Sequence, residues 1–226
     1  MPRILPLLAL QTVLLVTAPG GSTRTVRIEA SRDATLVEDP DGALADGTGP
    51  YVRAGRTSQM AQSRRRALLY FDVAAALPRN AKVESVTLNL HMSQTNAGPV
   101  EVAVHRVLAE WKEGPSFSMG GIGTRSERGD VTWLHNSYAG SLWVKPGAEF
   151  IPHPSAERTV DRVGPYTWTS TDELEADVRL WSEAPHRNFG WVLVGDESSS
   201  TSVKRFDSRE SDSPSLRPTL EVTYRL

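Results

Sequence analysis

Lys82-Val-Glu-Ser-Val-Thr-Leu-Asn-Leu-His-Met-Ser93 alternates apolar and polar residues at a period of two. Val86, Leu88, Leu90 and Met92 fall on one side, and Thr87, Asn89 and His91 on the other. This is the pattern of a strand with one face in a core and one in water. Asn96-Ala-Gly98-Pro99 breaks the run, and Val100, Val102 and Val104 then resume it against Glu101, Ala103 and His105. Two such runs separated by a short Gly/Pro break read as an antiparallel pair.

Outward from this pair the period of two persists. Val26 and Ile28 alternate with Arg27 and Glu29, and Ala67-Leu-Leu-Tyr-Phe-Asp-Val73 is apolar almost throughout, as a central strand covered on both faces requires. Phe189 to Val194, Lys204 to Asp207, and Leu220, Val222 and Tyr224 supply three more strands. One segment reads as helix: Ser170-Thr-Asp-Glu173 fits a capping box, Leu174, Val178 and Trp181 share a face, and Pro185 ends it. Many short strands with one short α-helix predict an all-β class, a jelly-roll-like antiparallel β-sandwich with the helix over one edge or end. Between Ala109 and Tyr166 strand patterns are few, yet three of the six tryptophans, Trp111, Trp133 and Trp143, fall there. A long loop of this kind is uncommon in a compact domain and, when ordered, is often functional.

The chain has 226 residues, a net charge of −2 and no cysteine. The first two suit one large all-β domain and argue against nucleic acid as a partner, since a dedicated binder carries a basic excess. The third removes disulfides, Cys nucleophiles and thiolate metal sites together. Lysine occurs only at 82, 112, 145 and 204, so 21 of the 25 basic residues are arginine, the side chain whose planar fork grips carboxylates in pairs. Residues 1–22 have a secretory layout: Arg3, an apolar stretch from Ile4 to Val16, then small residues up to Ser22. We therefore expect a signal peptide over 1–22, one sandwich domain over 23–226, and a secreted, extracellular or bacterial cell-envelope location, with no membrane span in the mature chain.

The order of the motifs carries a resemblance. Asp33-Ala-Thr-Leu, Gly47-Thr-Gly49, Arg65-Arg-Ala-Leu-Leu-Tyr-Phe-Asp72 and Val83-Glu-Ser-Val-Thr-Leu-Asn-Leu90 lead to Trp111-Lys-Glu-Gly114, Val131-Thr-Trp133 and the Trp143 to Phe150 stretch. Asn188-Phe-Gly-Trp-Val-Leu-Val-Gly-Asp-Glu197, Lys204-Arg-Phe-Asp-Ser-Arg-Glu210 and Arg217-Pro-Thr-Leu-Glu-Val-Thr-Tyr224 follow. In this order and spacing the chain resembles the DNRLRE domain, also classed as carbohydrate-binding module family 96. The resemblance implies a secreted noncatalytic β-sandwich that binds polysaccharide, with uronate-rich polymers such as alginate among its ligands. Such modules are often appended to larger enzymes or surface proteins, so a separately encoded envelope protein or enzyme is the partner expected for a module standing alone.

The residues themselves offer three candidate sites. Trp133 and Trp143 present flat apolar faces of the kind that stack on sugar rings, unless they plug the ends of the sandwich. Arg64, Arg65 and Arg66 could clamp the carboxylates of a uronate polymer, and Arg205, Arg209 and Arg217 could join them or bridge to neighbouring acids. Asp39, Asp41 and Asp46 lie in an acid- and glycine-rich loop whose oxygens suit a structural calcium, although turn formation explains the same composition. Hydrolase, phosphate-loop and zinc-protease motifs are absent, and the five histidines never take a ligand-like spacing. Glu110 and Glu113 are the acid pair that a carbohydrate-active enzyme would need. The leading expectation is polysaccharide binding without catalysis, followed by a structural or adhesive envelope domain and then by an enzyme.

Overall fold

A computed structural model describes residues 22–226. The signal segment expected over 1–22 lies, but for Ser22, outside the described residues. The strands in chain order are β1 (Thr23–Glu29), β2 (Arg32–Val37), β3 (Leu44–Ala45), β4 (Tyr51–Arg56), β5 (Arg64–Tyr70), β6 (Lys82–Thr95), β7 (Val100–Arg106), β8 (Thr124–Arg125), β9 (His135–Ser137), β10 (Ser141–Leu142), β11 (Ala156–Val160), β12 (Gly164–Trp168), β13 (Trp191–Val194), β14 (Lys204–Asp207) and β15 (Thr219–Arg225). Two α-helices accompany them, α1 (Val73–Ala76) and α2 (Asp172–Glu183). Among the described residues no helix is long and apolar enough to cross a membrane.

Eleven strands form one curled antiparallel sheet in the order β1-β15-β6-β14-β4-β5-β13-β7-β11, with β12 beside β6 and β2 beside β5. The sheet doubles back at β4. Tyr51 to Ala54 pair with β14, whereas Gly55 and Arg56 pair with β5. Gly55 makes the turn possible: its φ is +116°, and a Cβ there would stand 2.9 Å from Val203 Cα. The fold is therefore an all-β antiparallel sandwich whose two leaves are continuous through one strand.

The apolar faces read from the sequence meet between the leaves. Val86, Leu88 and Met92 of β6 and Val222 of β15 pack with Leu69 of β5, Val102 and Val104 of β7 and Leu193 of β13. The pairing expected of β6 and β7 does not occur. β6 hydrogen-bonds to β15, β14 and β12, while β7 hydrogen-bonds to β13 and β11 in the opposite leaf. The Asn96–Pro99 break is an arch from leaf to leaf rather than a hairpin. Lys204, wholly buried, holds it: Nζ donates to Thr95 Oγ1 at 2.8 Å, Ala97 O at 3.1 Å and Gly98 O at 2.6 Å. Alternation alone cannot separate the two outcomes, because strands stacked face to face need the same pattern as strands side by side.

The expected helix forms, with its cap one residue late. Thr171, not Ser170, is the N-cap and accepts from Leu174 N, while Ser170 Oγ accepts from Val86 N and donates to Glu175. Leu174, Val178 and Trp181 bury the inner face against the core, and Pro185 opens a 3-10 turn just beyond.

The long loop is a second core. Ala34, Leu36, Leu68 and Val192 point out of the β2-β5-β13 leaf, away from the first core, and Val107, Trp111, Val131, Trp133, Trp143 and Ala148 close over them. This is why the Ala67 to Val73 run is apolar on both faces: Ala67 and Leu69 serve one core and Leu68 the other. The strand itself stops at Tyr70, since Asp72 caps α1. The loop also contains β11 and β12, which the sequence pattern did not reveal; Ala156-Glu-Arg-Thr-Val160 buries only its two end residues.

Candidate functional site

The tryptophans proposed as sugar platforms face inward. Trp133 is 4% exposed and Trp143 5%. Trp143 Nε1 donates to Thr132 O at 3.1 Å, and the Trp133 ring lies about 5 Å from the guanidinium carbons of Arg64 and Arg66. With both rings packed on protein, neither offers a free face for a sugar.

The three consecutive arginines are likewise engaged, and strand alternation splits them. Arg64 grips Glu38 through Nε at 2.9 Å and Nη2 at 2.6 Å, and Arg66 grips Glu197 through Nε at 2.7 Å and Nη2 at 2.9 Å. Arg65 points the other way and is 1% exposed, donating to Gly121 O, Gln62 O, Arg64 O and Gln59 Oε1. Burial pushes its guanidinium down to about 10. The forks do clamp carboxylates, as arginine chemistry suggests, but the carboxylates are the protein's own.

Asp39, Asp41 and Asp46 do not converge. Asp39 Oδ2 accepts from Ala43 N at 2.6 Å and so shapes a turn, and Asp41 is exposed. Asp46 is buried against Arg53 Nη1 at 3.4 Å and Ser118 N at 3.1 Å. Burial outweighs the guanidinium and raises Asp46 to about 7. Burial also raises Asp177 and Glu210. An acid raised in the fold stabilises it fully below its unfolded pKa, and that stability is lost as pH rises through the folded pKa. The contribution of these acids is therefore expected to decline from about pH 4 to about pH 7, against an opposing rise from His105 and His135, whose burial holds them below the usual imidazole value. Urea midpoints across that range measure the decline, and Asp46→Asn should make it shallower; an unchanged slope would remove Asp46 as the cause.

The acids that do converge are Asp33 of β2, Glu113 of the long loop and Glu210 beyond β14, with carboxylate oxygens within 4.8 Å of one another. Glu113 Oε1 accepts from Asp33 N and from Arg209 Nε, both at 2.8 Å, and its Oε2 accepts from Arg209 Nη2 at 2.8 Å. Sequence reading reached only Glu113, as one of a catalytic pair with the exposed Glu110; Asp33 and Glu210 are too distant along the chain for any spacing to signal them.

A mixed surface, in which polar side chains stand among Pro165, Tyr166 and Leu216, lies on the outer side of the other leaf. Asn89 and His91 of β6 point away from the core beside Thr167 of β12, Thr219 of β15 and Arg27 of β1, and with Arg217 they line an open cavity of about 300 Å³. Asn89 Oδ1 accepts from Thr167 Oγ1 at 2.7 Å, and His91 Nδ1 is held by Asp207 Oδ2 at 2.7 Å. Arg27 is exposed and has no acid partner among the described residues; the nearest acid to Arg217 is Glu29, at 3.9 Å. Gln94 near the end of β6 and Asn96 of the arch line a second cavity, of about 240 Å³, with Arg53, Thr57 and Arg205. Arg205 stacks 3.8 Å from the Tyr51 ring centre and donates to Ser93 Oγ at 3.0 Å. The strip along β6 from Asn89 to Gln94 is on the order of 16 Å long at about 3.3 Å per residue. Its signal in the sequence was the kind of polar residue alternating along β6, amide and imidazole instead of lysine and glutamate.

No protein-family model and no curated protein matches the chain. Among solved structures, a chain of the T13 IBDV viral particle aligns with 98% of this chain and 39% of its own length, at 12% identity and a TM-score of 0.19. This chain thus spans about two fifths of that one, and an overlap this poor carries no argument about fold or function.

Proposed function

We propose that the chain is a noncatalytic module that binds an acidic, uronate-rich extracellular polysaccharide along the outer face of β6. The observation that carries this reading is the strip of hydroxyl, amide, imidazole and guanidinium groups from Arg27 and Arg217 to Arg205. Amides and hydroxyls bond sugar hydroxyls, and guanidinium forks not already spent on protein acids bond carboxylates. The resemblance of the motif order to the DNRLRE domain points the same way, and this reading places binding on β6 in preference to the buried tryptophans and the paired arginine triplet.

Affinity electrophoresis through alginate, polygalacturonate and a neutral glucan tests the reading. Arg27→Ala combined with Arg217→Ala should weaken binding to the acidic gels by about tenfold to a hundredfold, from ~1.5–3 kcal/mol for charge-assisted hydrogen bonds. Binding should also fade at about 1 M salt, where screening shortens to about 3 Å. No retardation on any of these gels, with calcium present, would overturn it.

A second reading, an adhesive envelope domain, is favoured by one loop. Phe117, Met119 and Ile122 are 54%, 63% and 63% exposed within six residues, and clustered exposed apolar side chains mark protein contact sites.

A further inference from the structure

Asp33 is wholly buried, and its two oxygens are unequally served. Oδ2 accepts from Arg209 N at 2.7 Å, whereas Oδ1 has no hydrogen-bond partner among the described residues. A buried carboxylate oxygen left bare is costly, and native structures pair such atoms with a donor, a water or an ion. The carboxyl faces two more acids, Glu113 and Glu210, within 4.8 Å. Glu210 Oε1, itself buried, lies 2.9 Å from Arg209 Nη2 without the alignment of a hydrogen bond. Among the described residues Arg209 is the one cation bonded into this cluster, so three ionised carboxylates and one guanidinium leave two negative charges unmatched.

We propose that Asp33, Glu113 and Glu210 hold one divalent cation of the calcium type. The donors are hard oxygens, with neither imidazole nor thiolate among them, which selects calcium over zinc or copper. A dication supplies the missing charge and takes up the bare Asp33 oxygen together with the misaligned Glu210 oxygen. Its competitor is a proton on Asp33, since burial and the two neighbouring acids push that carboxyl well up. The three ligands come from β2, from the loop that covers the second core, and from the segment after β14, so the ion would clip parts of the chain that are remote in sequence. The proposal stands apart from what the β6 strip binds.

Calorimetric scans of the chain stripped with chelator, then returned to calcium or magnesium, test it. At calcium about a hundredfold above its dissociation constant the midpoint should rise by roughly 5–10 °C, and magnesium should give a smaller rise. Glu210→Gln should fold, as judged by circular dichroism, and lose the calcium-dependent rise. Asp33→Asn, which removes the buried charge, should lose the rise while standing no lower than the parent without calcium. No rise together with no binding heat by isothermal titration overturns the site, as does a rise that survives in both variants.

Discussion

Trp143→Ala is expected to lower stability by about 3–5 kcal/mol, the range for removing a large buried aromatic side chain, and to leave polysaccharide affinity unchanged. The indole is buried beside Trp111 and Trp133 in the core that covers the outer face of β5. Truncation would open a void in a layer built from loop rather than from paired strands, and would strand Thr132 O, which accepts from the ring nitrogen. In a chain of this size the loss corresponds to a fall of roughly 6–20 °C in the unfolding midpoint. A small change in midpoint with a large fall in binding would restore the sugar-platform role expected from sequence. The two readings differ in which measurement moves, so one variant decides between them.

Arg65→Met is expected to cost about 3–5 kcal/mol, as when one partner of a buried charged network is removed. Among the described residues no carboxylate pairs with Arg65; three backbone carbonyls and the Gln59 amide oxygen accept its protons. Methionine fills much of the volume yet leaves those acceptors facing an apolar chain, each unmade bond costing about 1–3 kcal/mol before water enters. Arg65→Lys should recover only part of the loss, because an ammonium cannot span acceptors on both the Gln59–Arg64 segment and Gly121. Arg64→Ala is the control: its side chain is 41% exposed and its pair with Glu38 sits at the surface, where such pairs contribute about 0–1 kcal/mol. Equal losses at positions 64 and 65, read from urea midpoints, would refute the division that strand alternation imposes on the triplet.

Period-two alternation made the strand faces legible, because burial of one face constrains every second residue. It did not make strand partners legible: Val86 to Met92 and Val100 to Val104 carry one pattern whether they lie side by side or across a core, and the arch that separates them is held by Lys204, far along the chain. Trp133 and Trp143 stood between platform and plug because a loop tryptophan looks the same in sequence whether it faces solvent or roofs a strand, and burial favours the plug. The unbroken apolar run at Ala67 to Val73 did hold the missing information, since a strand apolar on both faces needs a cover on each. Asp33, Glu113 and Glu210 had no local signature, for their meeting depends on the whole topology. The β6 strip was half visible, its direction fixed by the period and its depth by flanking strands.

β1 and β15 pair antiparallel from Thr23 with Arg225 to Glu29 with Thr219, so the start of β1 and the end of β15 lie at the same corner of the sheet. A pull between them loads one rung of the ladder at a time, as in opening a zipper, instead of shearing all rungs together. That edge is a mechanical seam. If the module is tethered through the segment after β15 and dragged by a polymer on β6, the load passes between β15 and β6, which is hydrogen-bonded on both sides, and bypasses the seam; a tether ahead of β1 would load it.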